Sequence, residues 1–302
     1  MILLNLRRRS LRAAALVFAL LAALLAHAQK GSTPLLFEVR SATNTVYLLG
    51  TVHVGSRQMY PMSNAVDEAF ARSRVLALEI DPNDREGALA ALQGSLYRPP
   101  DNLRNHIPPA LLAELQAVLP RVGLPIEYAQ TMKPPLLAIT MSMMEIARLG
   151  YDPAMGIEPY LAARAKERGM PMAQLESAED QMRLFDLLSE PTQIAVLAQT
   201  LRSIARDELA GELDALLAAW SQGDAKRLLE VIERDSAELP AGMGEELRQV
   251  LYTRRNRGMA AKVEAMLAGD VPHFVAVGAG HLLSEDGVVA LLRERGFAVK
   301  RL

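Results

Sequence analysis

Cysteine is absent from all 302 residues. Its absence excludes disulfides, thiolate nucleophiles, zinc–thiolate centres and a lipidated cysteine anchor, so an exported chain of this composition must be held together by its core. An excess of positive charge is also missing, with 33 basic residues set against 35 acidic ones. Bulk charge therefore gives no reason to expect a nucleic-acid partner. Several familiar devices are lacking too: the chain holds no H-E-x-x-H, no G-x-S-x-G elbow and no Walker A sequence. Gly278-Ala279-Gly280 superficially resembles a dinucleotide loop, but Leu283 stands where the third glycine belongs and the chain ends before a βαβ unit closes. Long apolar runs are scarce. The longest, Ala13 to Ala26, falls short of the roughly 20 residues that span a bilayer.

That run lies behind Arg7, Arg8, Arg9 and Arg12 and ahead of Ala26-His27-Ala28, the three parts of a secretory leader with an A-x-A cleavage site. The expectation is a signal peptide over residues 1–28, export to the periplasm or beyond, and no stable membrane span once the leader is cut. Four basic residues and no acidic ones leave with it, so 29 basic residues face 35 acidic ones in the mature chain, a formal charge of −6.

What the chain does have is a repeated pattern near its two ends. Thr45-Val-Tyr-Leu-Leu-Gly50-Thr-Val-His53 and His273-Phe-Val-Ala-Val-Gly278-Ala-Gly-His281 are each a short apolar run leading into Gly-x-x-His. The runs are too short for free-standing helices and the glycines break them, so each histidine is expected just past the carboxyl end of a strand. That is where open α/β sheets bind ligands. Around the first block, Leu35 to Val39 and Thr45 to Leu49 flank a hairpin turn at Ser41–Asn44, and Met62, Ala65, Val66, Ala69 and Phe70 recur with helical spacing. A strand follows over Val75–Ile80. Around the second, a short helix over Gly287–Arg295 precedes a last strand, Phe297 to Leu302. Between the two units the sequence reads almost wholly helical, with Met170–Leu175 the one candidate strand. These patterns predict one α/β domain over residues 29–302. Its central mixed sheet is formed from the N- and C-terminal strand units, with a large helical insertion over about residues 84–268.

The chemistry expected of such a pair follows from imidazole's liking for divalent transition ions and from the frequency with which two histidines and a carboxylate share a catalytic centre. Glu79 is the candidate carboxylate, because it ends an otherwise apolar strand where an unpaired charge is costly. Asp81 points to the same face if the strand continues. On the expected helix from Glu245 to Ala268, Arg255 falls on the apolar stripe, four residues from both Leu251 and Met259. A guanidinium so placed calls for an anionic partner: Glu79, Asp81 or a substrate group. The methionine-rich stretch Met132, Met141, Met143, Met144 and Met155 reads as core.

Leu48-Leu-Gly-Thr-Val-His53, Ala77-Leu-Glu79, Arg255-Asn256 and Phe274-Val-Ala-Val-Gly-Ala-Gly-His-Leu282 together resemble the signature blocks of the TraB/GumN family. Gly156-Ile-Glu-Pro-Tyr-Leu161 and Leu175-Glu-Ser-Ala-Glu-Asp-Gln181 extend the likeness across most of the mature chain. The resemblance implies an α/β fold related to erythromycin-esterase-like and haem-binding ChaN-like proteins, and a metal-dependent hydrolase, since the animal Tiki members of the superfamily act as metal-dependent proteases. It places His53, Glu79 and His281 in the site with Arg255 and Asn256 lining it. Glu158 stands where family members often carry Asp.

The resulting expectation is an exported hydrolase of the Tiki type. His53, Glu79 and His281 hold a divalent ion (Zn, Mn or Co), Arg255 stabilises developing charge, and Asn256 and Asp81 contact a peptide or small-molecule substrate. The alternatives are a metal-independent esterase and a non-catalytic protein that sequesters a peptide or haem.

Overall fold

A computed structural model describes residues 34–302. The expected leader therefore lies outside the described residues. Six strands form one sheet: β1 (Leu36–Arg40), β2 (Thr45–Thr51), β3 (Val75–Leu78), β4 (Met172–Gln174), β5 (His273–Gly278) and β6 (Ala298–Arg301), in the order β4-β3-β5-β2-β1-β6. β1 runs antiparallel to both neighbours, and β4, β3, β5 and β2 are mutually parallel, so the sheet is mixed as expected. The turn after Arg40 is set by Ser41, whose hydroxyl oxygen accepts from the Thr43 and Asn44 amides. The Asn44 side chain then donates to the Met266 and Val271 carbonyls, tying this hairpin to the far end of the chain.

β5 lies between β2 and β3, pairing Leu48 with Val275 on one side and Ala77 with Val275 on the other. Its Phe274 to Val277 segment is fully buried, as a central parallel strand covered on both faces must be. This threading brings the two ends of the chain together. A strand from near residue 275 sits between two from the first 80 residues, and all three finish at the same edge.

The helical insertion separates β3 from β5, interrupted by the short β4. One hydrophobic cluster wraps the sheet, and a second, from Leu103 to Ile204, belongs to the insertion alone. The Pro134–Arg148 helix contributes Leu137, Ala138 and Met141 to this second core, in line with the packing role expected of its methionines. The insertion also returns to the sheet: Trp220 is buried and donates its indole N–H to the Gly50 carbonyl of β2 at 2.7 Å. Among the described residues no helix is long and apolar enough to cross a membrane.

The helix expected over Glu245–Ala268 is divided. Met243–Arg248 and Arg254–Ala268 are α-helical, but Gln249–Thr253 between them is a π-helix. Such single-turn insertions change which residues face inwards on either side of them and recur at functional sites.

Candidate active site

The carboxyl ends of β2, β3 and β5 converge on Gly278. A methyl group built there would lie 3.2 Å from Glu79 Oε1, 3.7 Å from His281 Cδ2 and 3.8 Å from His53 Nε2. The two histidines, 228 positions apart, therefore share one centre, with Glu79 between them, and the missing side chain leaves it clear. Glu79 Oε1 accepts the Gly278 amide at 2.5 Å, while Oε2 accepts from Arg255 Nη2 at 2.8 Å and Gln181 Nε2 at 3.1 Å. Arg255 is clamped from the other side by Glu176, which Nη2 reaches at 2.7 Å and Nε at 3.0 Å. Glu176 is placed by backbone pairing, its amide donating to the Glu79 carbonyl at 2.7 Å. The anionic partner expected for Arg255 is thus Glu79 together with Glu176.

Each histidine is oriented through Nδ1. The Asn256 amide group donates through Nδ2 to the Asp286 carbonyl at 3.0 Å, so its Oδ1 is the atom that meets His281 Nδ1 at 2.6 Å. An amide oxygen only accepts, which puts the His281 proton on Nδ1 and leaves Nε2 as a bare lone pair facing Glu79 Oε1 at 3.8 Å. The Asp286 carboxylate is itself fixed by Arg248 and by a short bond from Thr253, a residue of the π-helix. His53 is oriented differently: Nδ1 faces Glu158 Oε1 at 3.0 Å, and the same oxygen accepts from the Thr51 hydroxyl at 2.5 Å. Glu158 gets there because the Ile157–Glu167 helix starts against the end of β2, with the Ile157 amide on the Val52 carbonyl at 3.3 Å. A Cβ at Gly156 would stand 2.6 Å from the His53 carbonyl, so this close approach needs glycine.

These surroundings drive the two imidazoles apart. The bond to Glu158 outweighs partial desolvation and raises His53 to about 9. Burial pushes His281 down to about 4. At neutral pH the His53 ring is cationic and largely solvent-exposed, with 71% of its side chain accessible, whereas His281 is neutral and enclosed. Burial opposes the charge of Glu79. Attraction to the imidazolium form of His281, to Arg255 and to His53, with the Gly278 N–H, outweighs it and pulls the carboxyl down to about 2.

His53, Glu79, His281, Arg255 and Asn256 are brought together. Asp81 is not: β3 stops at Leu78, and the Asp81 carboxylate accepts from the Asn83 amide at 2.9 Å within its own turn. Glu158 reaches the site through His53. Glu176 and Gln181 were within reach of sequence reasoning only as parts of the Leu175–Gln181 block, because nothing in the spacing of a polar loop shows that it folds back over β3. Asp286, Thr253 and Tyr252 carry no sequence signal of their own.

The expected metal ligands fit an ion only in part. Both imidazoles turn Nε2 towards the common centre with Nδ1 engaged, as ligating histidines do. Glu79 Oε2 is taken up by Arg255 and Gln181, whereas Oε1 accepts only the Gly278 amide and keeps a second lone pair. Among the described residues no group of three or more His, Asp or Glu side chains is arranged to hold an ion.

Paired histidines around a clamped carboxylate at the carboxyl ends of the parallel strands β2, β3 and β5 mark the candidate site of an α/β protein. The chain belongs to the TraB/PrgY/gumN family, whose model matches residues 35–301. It is similar to the uncharacterized protein YbaP of Escherichia coli K12, with 26% identity over 82% of this chain and 87% of that protein. It is also similar to the metalloprotease TIKI1 of Danio rerio, with 24% identity over 84% of this chain, and to that of Homo sapiens, with 22% identity over the same share. The matches span 60% and 59% of those two longer proteins. No solved structure matches the chain.

Proposed function

We propose that this chain is a hydrolase of peptide-type bonds, acting outside the cytoplasm, in which His281 is the general base and His53 the general acid. The observation that carries the reading is two histidines at one centre with unlike Nδ1 partners, a carboxylate for the exposed His53 and an amide oxygen for the enclosed His281, since surroundings that drive proton affinities apart mark acid and base roles. His281 Nε2, bare and buried, takes a proton from water as the water oxygen attacks the carbonyl carbon. The exposed His53 imidazolium gives a proton to the leaving amine as the C–N bond breaks. The cycle closes when His53 regains a proton from solvent and His281 loses one. Arg255 holds the Glu79 and Glu176 carboxylates in place, and Glu79 lies against both imidazoles, where its negative charge steadies the imidazolium that forms when His281 takes up the proton.

Similarity to proteins named metalloproteases supports the hydrolytic reading and raises the question of an ion. An ion here would be held by the two Nε2 atoms and Glu79 Oε1, with Oε2 still on Arg255, and would polarise a bound water; no step is assigned to it. Export rests on the leader pattern in residues 1–28. Digestion of a peptide library by the mature chain, with and without chelator, tests the reading: cleavage abolished by His281→Ala and by His53→Ala supports it. Absence of cleavage with and without added Zn, Mn or Co contradicts it.

A further inference from the structure

Behind His281 lies a cavity that the acid–base reading does not use. It is an open cavity of about 420 Å³ between the Ala225–Ala237 helix, the Met243–Thr253 segment and the short Ala279–Leu283 helix after β5. Its walls are Leu229, Ile232, Leu239 and the Tyr252 ring, and Gly242, Gly244 and Gly280 leave part of its surface without side chains. At its edge Arg248 is shared between Glu245 and Asp286, each at 2.9 Å. With Glu233 the rim has three carboxylates to one guanidinium, an excess of two negative charges. Such a space, apolar and within the usual size range of ligand pockets, suits an uncharged apolar group and disfavours an anionic one.

Two features join it to the chemistry. Gly280, which lines the cavity, directly precedes His281, and the Tyr252 ring forms a wall shared with His281, the two ring centroids 5.2 Å apart. The π-helix is what turns Tyr252 to this position while leaving Asn256, one turn on, to orient His281. A Cβ at Gly280 would come within 2.8 Å of Tyr252 Cε1 and 3.4 Å of Ile232 Cγ2, so the cavity keeps its depth on this side only with glycine.

We propose that this cavity is a specificity pocket that takes an apolar side chain, of leucine or phenylalanine size, from the residue next to the bond that is cut. The proposal rests on the hydrolase reading for the identity of its ligand, so the test separates binding from turnover. The mature full chain is titrated by NMR with N-acetyl-leucinamide, N-acetyl-glycinamide and N-acetyl-aspartamide. Burial of a leucine side chain predicts binding at least about tenfold tighter for the first than for the other two. Ile232→Trp, which fills the cavity, and Ala241→Trp, at its exposed rim, are each expected to remove that advantage with an unchanged melting curve. Should Ile232→Trp fail to fold, the rim variant alone decides. Equal affinities for the three amides, or a leucine preference that survives the rim variant, overturn the proposal. Selective binding by a chain that cuts no peptide sustains the pocket while defeating the hydrolase reading.

Discussion

The proton states of His53 and His281 are set by groups that each touch only one of the rings. Glu158 raises His53 through a bond to Nδ1, and burial beside Asn256 lowers His281. Between about pH 4 and about 9 both rings hold the form the reaction needs, so activity should plateau across that window and fall on either side. In Glu158→Gln the alkaline limb should move down from about 9 towards the ordinary histidine value of 6.5, while the acid limb stays in place. A pH–rate profile of the two proteins checks this, and coincident alkaline limbs would disprove the role given to Glu158. The clamp on Arg255 makes a separate prediction. Glu79→Gln leaves Arg255 its partner Glu176 and should cost on the order of 1 to 3 kcal/mol. Arg255→Met leaves two enclosed carboxylates facing a lost charge and should cost more, about 3 to 5 kcal/mol. Urea denaturation of both variants ranks them, and the reverse order would mean that the arginine is not what holds the acids together.

The elements show which features could be read from the sequence and why others could not. The Gly-x-x-His strands were legible because a parallel strand buried on both faces must be a short apolar run, and its end must be marked by a residue that breaks the run. β4, an edge strand that is only half-buried, falls within the one stretch of the insertion that reads as strand, Met170–Leu175, and Arg255 was legible because a charge on an apolar stripe is conspicuous. The π-helix was not, since Leu247, Val250 and Leu251 continue the helical spacing and one extra residue in a turn leaves no mark on composition. The extent of β3 was misjudged at its end, where Ile80 looks like strand but Asp81 forms a turn with Asn83. Glu176 stands in polar surroundings in the sequence and Glu158 in the first turn of a helix, and only the docking of β4 and of the Ile157–Glu167 helix carries them to the centre. The π-helix yields its own prediction. Deleting Val250 should restore a regular helix, rotate Arg248 by roughly 100° relative to Tyr252 and Asn256, and abolish activity with far-ultraviolet circular dichroism unchanged. Retained activity would show that the insertion positions nothing.

For the molecule as a whole, the same groups make stability depend on pH. His281 has a folded value near 4, below its ordinary 6.5, so the unfolded chain binds that proton first. Its contribution is complete above 6.5 and is lost as pH falls towards 4. Glu79, lowered to about 2 from 4.5, adds a further loss between those values. His53, raised to about 9, contributes below 6.5 and loses its contribution as pH rises through 9, but its exposure keeps that share small. Stability should therefore fall more steeply on the acid side of 6.5 than on the alkaline side, and His281→Asn should flatten the stretch between 6.5 and 4. Urea midpoints across this range test it, and a wild-type chain equally stable at pH 6.5 and 4 would count against an enclosed neutral His281. The cluster around the sheet also takes in insertion residues such as Ile157, Trp220 and Met259, while a second cluster lies within the insertion. The centre likewise draws on both parts, with Glu158, Glu176, Arg255 and Asn256 reaching it from the insertion.

The central claim, two histidines of opposite charge state over one clamped carboxylate, is tested most directly by an NMR titration of the ring nitrogens in histidine-labelled protein. His53 should titrate near 9, and His281 should hold its proton on Nδ1 and stay neutral until the pH approaches 4. Two histidines titrating together near 6.5, or His281 with its proton on Nε2, would contradict it.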